Sequence, residues 1–412
     1  MKKASGEHHR QVITSAFQIN EGTSRGGVAL FFAARGGGVQ KGRVTLANAL
    51  AQRGLHITCV LPEATGPFLE HLSSDVRVVE LGTRHALPLV RRFAHYLQQH
   101  RPAAVLASQH HTILAAIWAR HLARIETCLI ITQHNTLSEL CRQSRRPTVR
   151  YLLPRIAPRF FRHADRVCAV SHGVAEDVAA LMGIPLSNIR VIYDPTVTPQ
   201  LAEQAALPSG HPWLDGKDRP VVLSAGNLIQ IKDFATLIRA FARLRAVQPA
   251  RLVILGEGPE RRSLEQLAGQ FGVAAEVDLP GFSPNPYAFM ARADVFALAS
   301  RVEGLSNAII EALACGCPVV STDCPNGPAE VLQHGRYGRL VPVGDDAALA
   351  DAISATLRER SNPAALRQRA ASFSVERATD EYLQLLASVP ALQQEAHHDW
   401  ASPGGDIRPA NV

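Results

Sequence analysis

No apolar run in these 412 residues reaches the roughly 18 to 20 residues that a membrane span needs. The opening stretch, MKKASGEHHRQVITSAFQIN, carries lysines but no sustained apolar segment, so it does not read as a secretory signal. Cysteine is sparse and odd in number, at seven. A chain of this length does not need disulfides to staple a core, so free thiols and a reducing cytoplasm are expected. Cys315, Cys317, Cys324 and His334 match none of the usual zinc spacings. The pairs His8–His9, His110–His111 and His397–His398 carry no ligand spacing either, and no metal site is expected. The dinucleotide fingerprint GxGxxG is missing. Charge of one sign is also modest: 43 Lys and Arg against 36 Asp and Glu, a formal +7. With no recognised nucleic-acid motif in the basic patch, nucleic acid is not expected as a partner.

What the chain does have is an alternating rhythm. Apolar runs such as VALFFAA (28–34), HITCVLP (56–62), VRVVEL (76–81), AAVLAS (103–108) and CLIITQ (128–133) read as strands. Helical patterns over 85–99 and 112–124 fall between them. Strands alternating with helices imply βαβ units and a parallel sheet. A Pro- and Gly-rich stretch over 195–219 reads as a linker. The rhythm then restarts with VVLSAG (221–226), RLVIL (251–255), VDLPG (277–281), DVFALAS (294–300), PVVST (318–322) and RLVPV (339–343). The expected organisation is a loose extension over 1–26, a first α/β domain over 27–194, the linker, and a second α/β domain over 220–372. A last helix over 373–389 and a disordered tail over 390–412 complete it.

The stretch RVEGLSNAIIEALACGC (301–317) carries the chemistry. Glu303 and Glu311 stand eight positions apart, a loop running into a helix. Leu305, Ala308, Ile309, Ala312 and Leu313 recur at helical spacing and should face a core. Ser306 occupies an N-cap position. Eight residues of helix rise by about 12 Å, too far for a glycosidase pair, whose carboxyls stand roughly 5 to 9.5 Å apart. The spacing suits two ends of one extended ligand, with the amides of Gly304, Leu305 and Ser306 offering an anion site between them. An amphipathic helix with two solvated glutamates accounts for the spacing as well.

In this wording the E-x7-E stretch resembles the GT4 family of retaining glycosyltransferases, which have the GT-B fold of two Rossmann-like α/β domains facing across a cleft. GGGVQKGRVTLANALAQRG (36–54), SAGNLIQIKDFATLIRAFARL (224–244), LVILGEGPERRSLEQLA (252–268) and CPNGPAEVLQHGRYGRLVPVGD (324–345) resemble further segments of that family in the right order. The resemblance implies transfer of a sugar from a nucleotide-diphosphate donor, a UDP-sugar on overall wording, to a hydroxyl acceptor. It implies retention at the anomeric carbon without an obligatory metal or other cofactor, in keeping with the missing DxD motif.

The resemblance also distributes roles. Glu303 sits beside the donor sugar and Glu311 beside the ribose hydroxyls. Gly37 and Gly38 form the loop near the donor phosphates. Position 227 and Lys232 lie on the diphosphate, with Gly304, Leu305 and Ser306 lining the same site. His134, after an apolar strand, matches a cleft histidine near the transferred sugar; a histidine satisfied by local backbone fits equally. Asn227 stands where the family has an arginine, which removes one charge from the diphosphate clamp.

From Cys141 to Arg166 there are eight arginines against one acid, Asp165. Arg155, Arg159 and Arg162 share a helical stripe, interleaved with Leu152, Leu153, Ile156, Phe160 and Phe161. Such a segment suits an anionic membrane surface or a phosphorylated acceptor; a solvated surface helix explains it too, and Pro154 and Pro158 work against a long helix. The expected acceptor is a glycan or a polyprenyl-diphosphate-linked sugar at the inner face of the plasma membrane, reached by a cytoplasmic enzyme, peripheral there if the arginines engage lipid. Two other readings stay open: a UDP-sugar epimerase of the same fold, and a non-catalytic nucleotide-sugar-binding or membrane-associated assembly protein.

Overall fold

The computed structural model of the chain describes residues 26–34, 37–143, 147–390 and 392. The expected N-terminal extension and C-terminal tail therefore lie almost wholly outside the described residues, as do Arg145 and Arg146.

Among the described residues, thirteen strands form two sheets. The first holds β1 (Val28–Phe31), β2 (Ile57–Leu61), β3 (Val76–Glu80), β4 (Ala104–Ser108), β5 (Cys128–Gln133), β6 (Arg166–Ala169) and β7 (Ile189–Val191), in the order β3-β2-β1-β4-β5-β6-β7. The second holds β8 (Val221–Ala225), β9 (Arg251–Leu255), β10 (Val277–Gly281), β11 (Val295–Leu298), β12 (Val319–Thr322) and β13 (Arg339–Val341), in the order β10-β9-β8-β11-β12-β13. Every strand pairing is parallel. Helices cover both faces of such sheets, so central strands are buried on both sides and read as continuous apolar runs. β1, β2, β4 and β11 are buried at every residue, which is why they were legible as unbroken hydrophobic stretches.

Strand order reverses between β1 and β4 in the first sheet and between β8 and β11 in the second. In doubly wound sheets the ligand crevice opens at the carboxyl ends of the strands at this reversal. Loops leaving β1, β8 and β11 carry Gly37 and Gly38, Asn227 and Lys232, and Glu303. The topology thus delivers three separate motifs to one crevice.

The halves are joined at the bottom and back. The stretch over 195–219 contains two short helices, Leu201–Ala206 and Pro212–Asp215, and Val197 bridges to Ser374. The Val375–Ala387 helix then crosses back to the first sheet, where Tyr382 meets Arg43, and Asp380 meets Arg53 at 2.8 Å. One apolar cluster runs from Phe31 and Ile131 in the first domain to Phe296 and Ile309 in the second, so the domains are packed together at their base. The helix after β1 spans Gly38–Gln52 and so begins immediately beyond the glycine turn. Gly37 makes the turn with φ 82°, a left-handed conformation that glycine adopts without steric cost, and the helix follows at once.

Candidate functional site

The second domain builds its side of the crevice locally. After β11 the chain turns so that Glu303 Oε1 accepts from Lys232 Nζ at 2.5 Å and from Ser300 Oγ at 2.6 Å. Lys232 ends the one-turn helix Gln230–Lys232 that follows β8. Asp233 comes next in the left-handed region, and its carboxylate caps the Phe234–Val247 helix by accepting from the Thr236 amide. Asn227 is exposed at the start of this loop.

The expected loop running into a helix is present, but the eight-residue helical rise and the serine cap need correction. The glutamate helix spans Asn307–Ala314, so Glu303 lies in the preceding loop and the two glutamates do not share one helix. Their separation therefore follows the loop path as well as the helical rise. Ser306 holds the N-cap position but caps nothing: it is left-handed (φ 68°, ψ 60°), and its buried Oγ finds no partner among the described residues. The amides of Gly304, Leu305 and Ser306 likewise donate to no acceptor among the described residues. Leu305, Ile309, Ala312 and Leu313 do face the core, while Ala308 is half-buried against it.

The first domain meets this loop from above. His134 follows β5 and is almost wholly buried. A side chain at Gly304 would lie 1.9 Å from the His134 carbonyl oxygen, so only glycine permits this approach. Ser171, which caps the His172–Met182 helix through the Val174 amide, donates its hydroxyl to the Gly304 carbonyl at 2.7 Å. The Glu303 carbonyl accepts from Thr136 Oγ1 at 3.3 Å, and the His172 amide donates to the Glu330 carboxylate at 2.9 Å.

The glycine loop completes the closure. A Cβ at Gly37 would stand 3.8 Å from Asn227 Nδ2, and one at Gly38 would stand 3.1 Å from Asn307 Nδ2. One turn further along, Lys41 Nζ reaches Glu311 Oε1 at 2.5 Å and also bonds the Tyr287 hydroxyl. Glu311 is 8% exposed. Burial opposes the charged form of Lys41, but Glu311 and Tyr287 outweigh it and raise its pKa. Burial, reinforced by Glu311, pushes the Tyr287 hydroxyl up to about 12. Glu303 is thus paired within its own domain and Glu311 across the cleft.

Behind His134 lies a polar cluster that sequence reasoning missed. Asp194 stands just beyond β7, buried, with Oδ1 3.1 Å from Arg43 Nη2 and 3.4 Å from His134 Nδ1. Its Oδ2 accepts from Asn307 Nδ2 at 3.4 Å. Arg43 is itself buried and donates to the Tyr382 hydroxyl at 3.1 Å. Burial alone would raise the Asp194 pKa, but His134, Arg43 and Asn307 reverse this and hold it at about 2. For His134 burial dominates and lowers the pKa despite Asp194. A polar residue inside an apolar helix face was the one signal available: Arg43 shares its face with buried Leu46, Ala47 and Leu50.

Buried polar atoms without a hydrogen bond among the described residues gather at this junction: both ring nitrogens of His134, Ser306 Oγ and Asn307 Oδ1. Buried polar atoms are normally hydrogen-bonded, so a cluster of exceptions marks a place where a polar ligand belongs. With the free amides at 304–306 and the Lys232 ammonium, the site can hold an anion flanked by hydroxyls. Among the described residues, no group of three or more His, Cys, Asp or Glu is arranged to hold a metal ion. Cys315, Cys317 and Cys324 are buried free thiols.

Away from the crevice, the arginine segment folds as a π-helical turn, Thr148–Leu152, followed by the helix Leu153–Phe161 with Pro158 inside it. Arg155, Arg159 and Arg162 are all exposed. Tyr151 and Leu152 beside them are exposed, as are Trp118 and Leu122 on the adjacent His110–Ala123 helix. The Trp118 and Phe160 rings lie 5.2 Å apart, joining the two helices into one ridge. No described helix is long and apolar enough to cross a membrane.

Comparison with known proteins agrees with this architecture. Residues 36–198 match the model described as Glycosyltransferase Family 4, and residues 212–373 match the one described as Glycosyl transferases group 1. The chain is 31% identical over 374 residues to the lipopolysaccharide core biosynthesis glycosyltransferase LpsE of Rhizobium meliloti (strain 1021), covering 88% of this chain and 99% of that protein. It is 34% identical over 196 residues to the N-acetylgalactosamine-N,N'-diacetylbacillosaminyl-diphospho-undecaprenol 4-alpha-N-acetylgalactosaminyltransferase of Campylobacter jejuni, covering 48% of this chain and 52% of that one. Among solved structures, Anabaena HepE in complex with UDP superposes with a TM-score of 0.69 at 22% identity, over 88% of this chain and 100% of that one. The chain belongs to the family 4 glycosyltransferases, and its two facing Rossmann-like domains form a GT-B fold.

Proposed function

We propose that the protein transfers a sugar, with retention at the anomeric carbon, from a UDP-sugar to a hydroxyl of a glycan or polyprenyl-diphosphate-linked glycan in cell-surface polysaccharide or glycolipid synthesis. The observation that carries this reading is the gathering of unpartnered polar atoms, free amides and the Lys232–Glu303 pair at the carboxyl ends of both sheets. In the proposed complex the diphosphate lies on the amides of residues 304–306 and on Lys232. Glu311 receives the ribose hydroxyls, and Glu303 and His134 flank the sugar. The helix N-terminus and Lys232 stabilise charge that grows on the leaving diphosphate, the kind of preorganised electrostatic contribution that dominates many enzymes. No metal is assigned, because amides and ammonium supply the phosphate contacts.

The donor assignment is supported by the UDP complex of HepE, and the acceptor class by the names of the two relatives, one of lipopolysaccharide core and one of a diphospho-undecaprenol acceptor. The arginine ridge with its exposed Trp118, Tyr151 and Leu152 supports peripheral contact of the first domain with an anionic membrane at the cytoplasmic face. The test is a screen of UDP-, GDP- and ADP-sugars with purified protein and excess EDTA, reading release of nucleotide diphosphate and sugar transfer to lipid-linked glycan. UDP release that survives EDTA supports the reading. Loss of all activity with EDTA, restored by manganese or magnesium, removes the metal-free mechanism, and release from no UDP-sugar removes the donor.

A further inference from the structure

We propose that Asp194 is a positioning residue for sugar transfer, acting through His134 while it ties both domains to one closed arrangement. The proposal rests on the site reading given above. Asp194 belongs to the crossing segment just beyond β7, at the one place where the chain leaves the first sheet for the second domain. From there its carboxylate touches three elements at once: Arg43 on the helix after β1 (3.1 Å), His134 after β5 (3.4 Å) and Asn307, the first residue of the glutamate helix (3.4 Å).

Each contact has a distinct consequence. Arg43 is fixed by Tyr382 of the returning helix, and Tyr382 lies 3.3 Å from Thr132 Oγ1 on β5, so the carboxylate is held from behind by groups that cannot drift. A carboxylate beside Nδ1 of a histidine selects the tautomer with its proton on Nδ1, which leaves a lone pair on Nε2. Neither ring nitrogen of His134 makes a hydrogen bond among the described residues, so the Asp194 contact acts on Nδ1 by proximity and charge, and the protein offers Nε2 no competing partner. The 3.4 Å separation is longer than a well-formed N–H···O bond, as catalytic contacts often are before the substrate complex tightens them. The Asn307 contact extends the same control to the second domain. Its amide nitrogen donates to Asp194 and faces Gly38, while its Oδ1 stays unpartnered among the described residues. One buried carboxylate thereby sets the imidazole and the first turn of the phosphate-facing helix together.

A purely structural ion pair makes a different prediction. Arg43 and Asp194 would then hold the fold, and their loss would add to any loss at His134. The experiment is a double-mutant cycle on the full chain with Asp194→Asn, His134→Ala and the double variant. It reads UDP release from UDP-glucose, UDP-galactose and UDP-N-acetylglucosamine, with UDP affinity measured by calorimetry. Because Asp194→Asn leaves buried Arg43 without its counter-charge, Arg43→Gln/Asp194→Asn serves as a second background in which no charge is stranded. In both backgrounds kcat should fall about 100-fold, the scale of loss that misplacement by about an ångström produces, with UDP affinity within about threefold of wild type. Once His134 is Ala, the same changes should alter kcat by less than about threefold. Additive losses in the cycle, an unchanged kcat, or weakening of UDP in step with kcat would overturn the proposal. Failure of the wild-type protein both to bind UDP and to release it from any of the three donors would instead overturn the site reading on which the proposal stands.

Discussion

The two glutamates of the 303–311 stretch are both paired with a lysine at 2.5 Å, yet the lysines come from opposite sides of the cleft. Glu303 is held by Lys232 and Ser300, all within the second domain. Glu311 has Tyr287 from its own domain, but its cation, Lys41, comes from the first. The first arrangement survives any hinge motion. The second exists only while the domains are closed. One end of the proposed donor site is therefore held within one domain, and the other depends on contact between the two.

The sharpest way to break this contrast is Gly304→Ala. The new methyl would meet the His134 carbonyl at 1.9 Å, a backbone clash that only separation of the domains relieves. Lys232–Glu303 would persist and Lys41–Glu311 would part. We expect transfer to fall at least about 100-fold, since an ångström of misplacement suffices for that, with a smaller loss of UDP affinity. Gly269→Ala, in a helix with nothing within 4 Å, is the matched control and should be silent. Activity retained by Gly304→Ala would mean that the closed contact is not the working one.

Next in size is the pair of glutamine variants. If Glu303 flanks the sugar as proposed, Glu303→Gln should chiefly lower kcat, since it would touch the group whose charge changes in the transition state. Glu311→Gln should chiefly weaken UDP and raise the donor KM, by the roughly 1.5–3 kcal/mol of a charged hydrogen bond. Steady-state kinetics and calorimetry on both folded variants separate the cases. The opposite pattern would reverse the orientation of the donor.

This asymmetry also explains what the sequence made legible. Glu303, Glu311, Gly304, Ser306 and Lys232 lie in motifs whose wording survives in a single line of text, and the eleven strands read from the apolar runs are all present. Lys41, Arg43, Asp194, Tyr287 and Tyr382 carry no local signature. Their partners lie 270 residues away for Lys41–Glu311, 151 for Arg43–Asp194 and 339 for Arg43–Tyr382. Only the fold brings them together, so no periodicity could have announced them. The left-handed turn at Ser306 was hidden for a related reason. A serine before a helix reads as a cap, and here the tertiary contact with Gly304 and His134 sets the backbone instead.

A smaller effect tests whether the first domain brings more than Lys41 to the encounter. Replacing Arg155, Arg159 and Arg162 together by Gln should weaken binding to anionic vesicles by about 1 kcal/mol per residue, with UDP affinity unchanged. All three are exposed, so the fold should tolerate the change. Sedimentation with phosphatidylglycerol vesicles reads it directly. Equal binding by the triple variant would make the ridge an ordinary solvated surface.

The smallest expected effect is a pH slope that reports closure without any ligand. Burial lowers the pKa of His134 in the native state, whereas in the unfolded chain histidine titrates near about 6.5. As pH falls through that value the unfolded chain takes up a proton that the native state resists. Stability therefore declines toward acid, by at most about 1.4 kcal/mol per pH unit for one histidine, until the native pKa is passed. Asp194 has the opposite charge but the same direction. Held at about 2, it stabilises the native state fully above the unfolded value near about 3.9, and that contribution is lost as pH falls toward about 2. The Asp194 contribution changes only toward its unfolded value near about 3.9 and below, so urea unfolding between pH 7 and 5 reads the histidines. His134→Gln should flatten that slope, leaving the part due to His100 and His110, whose pKa values burial also lowers. If the cleft stood open in solution, His134 would be hydrated and the wild-type and variant slopes would coincide. Glu311 would then meet Lys41 only when a donor draws the domains together.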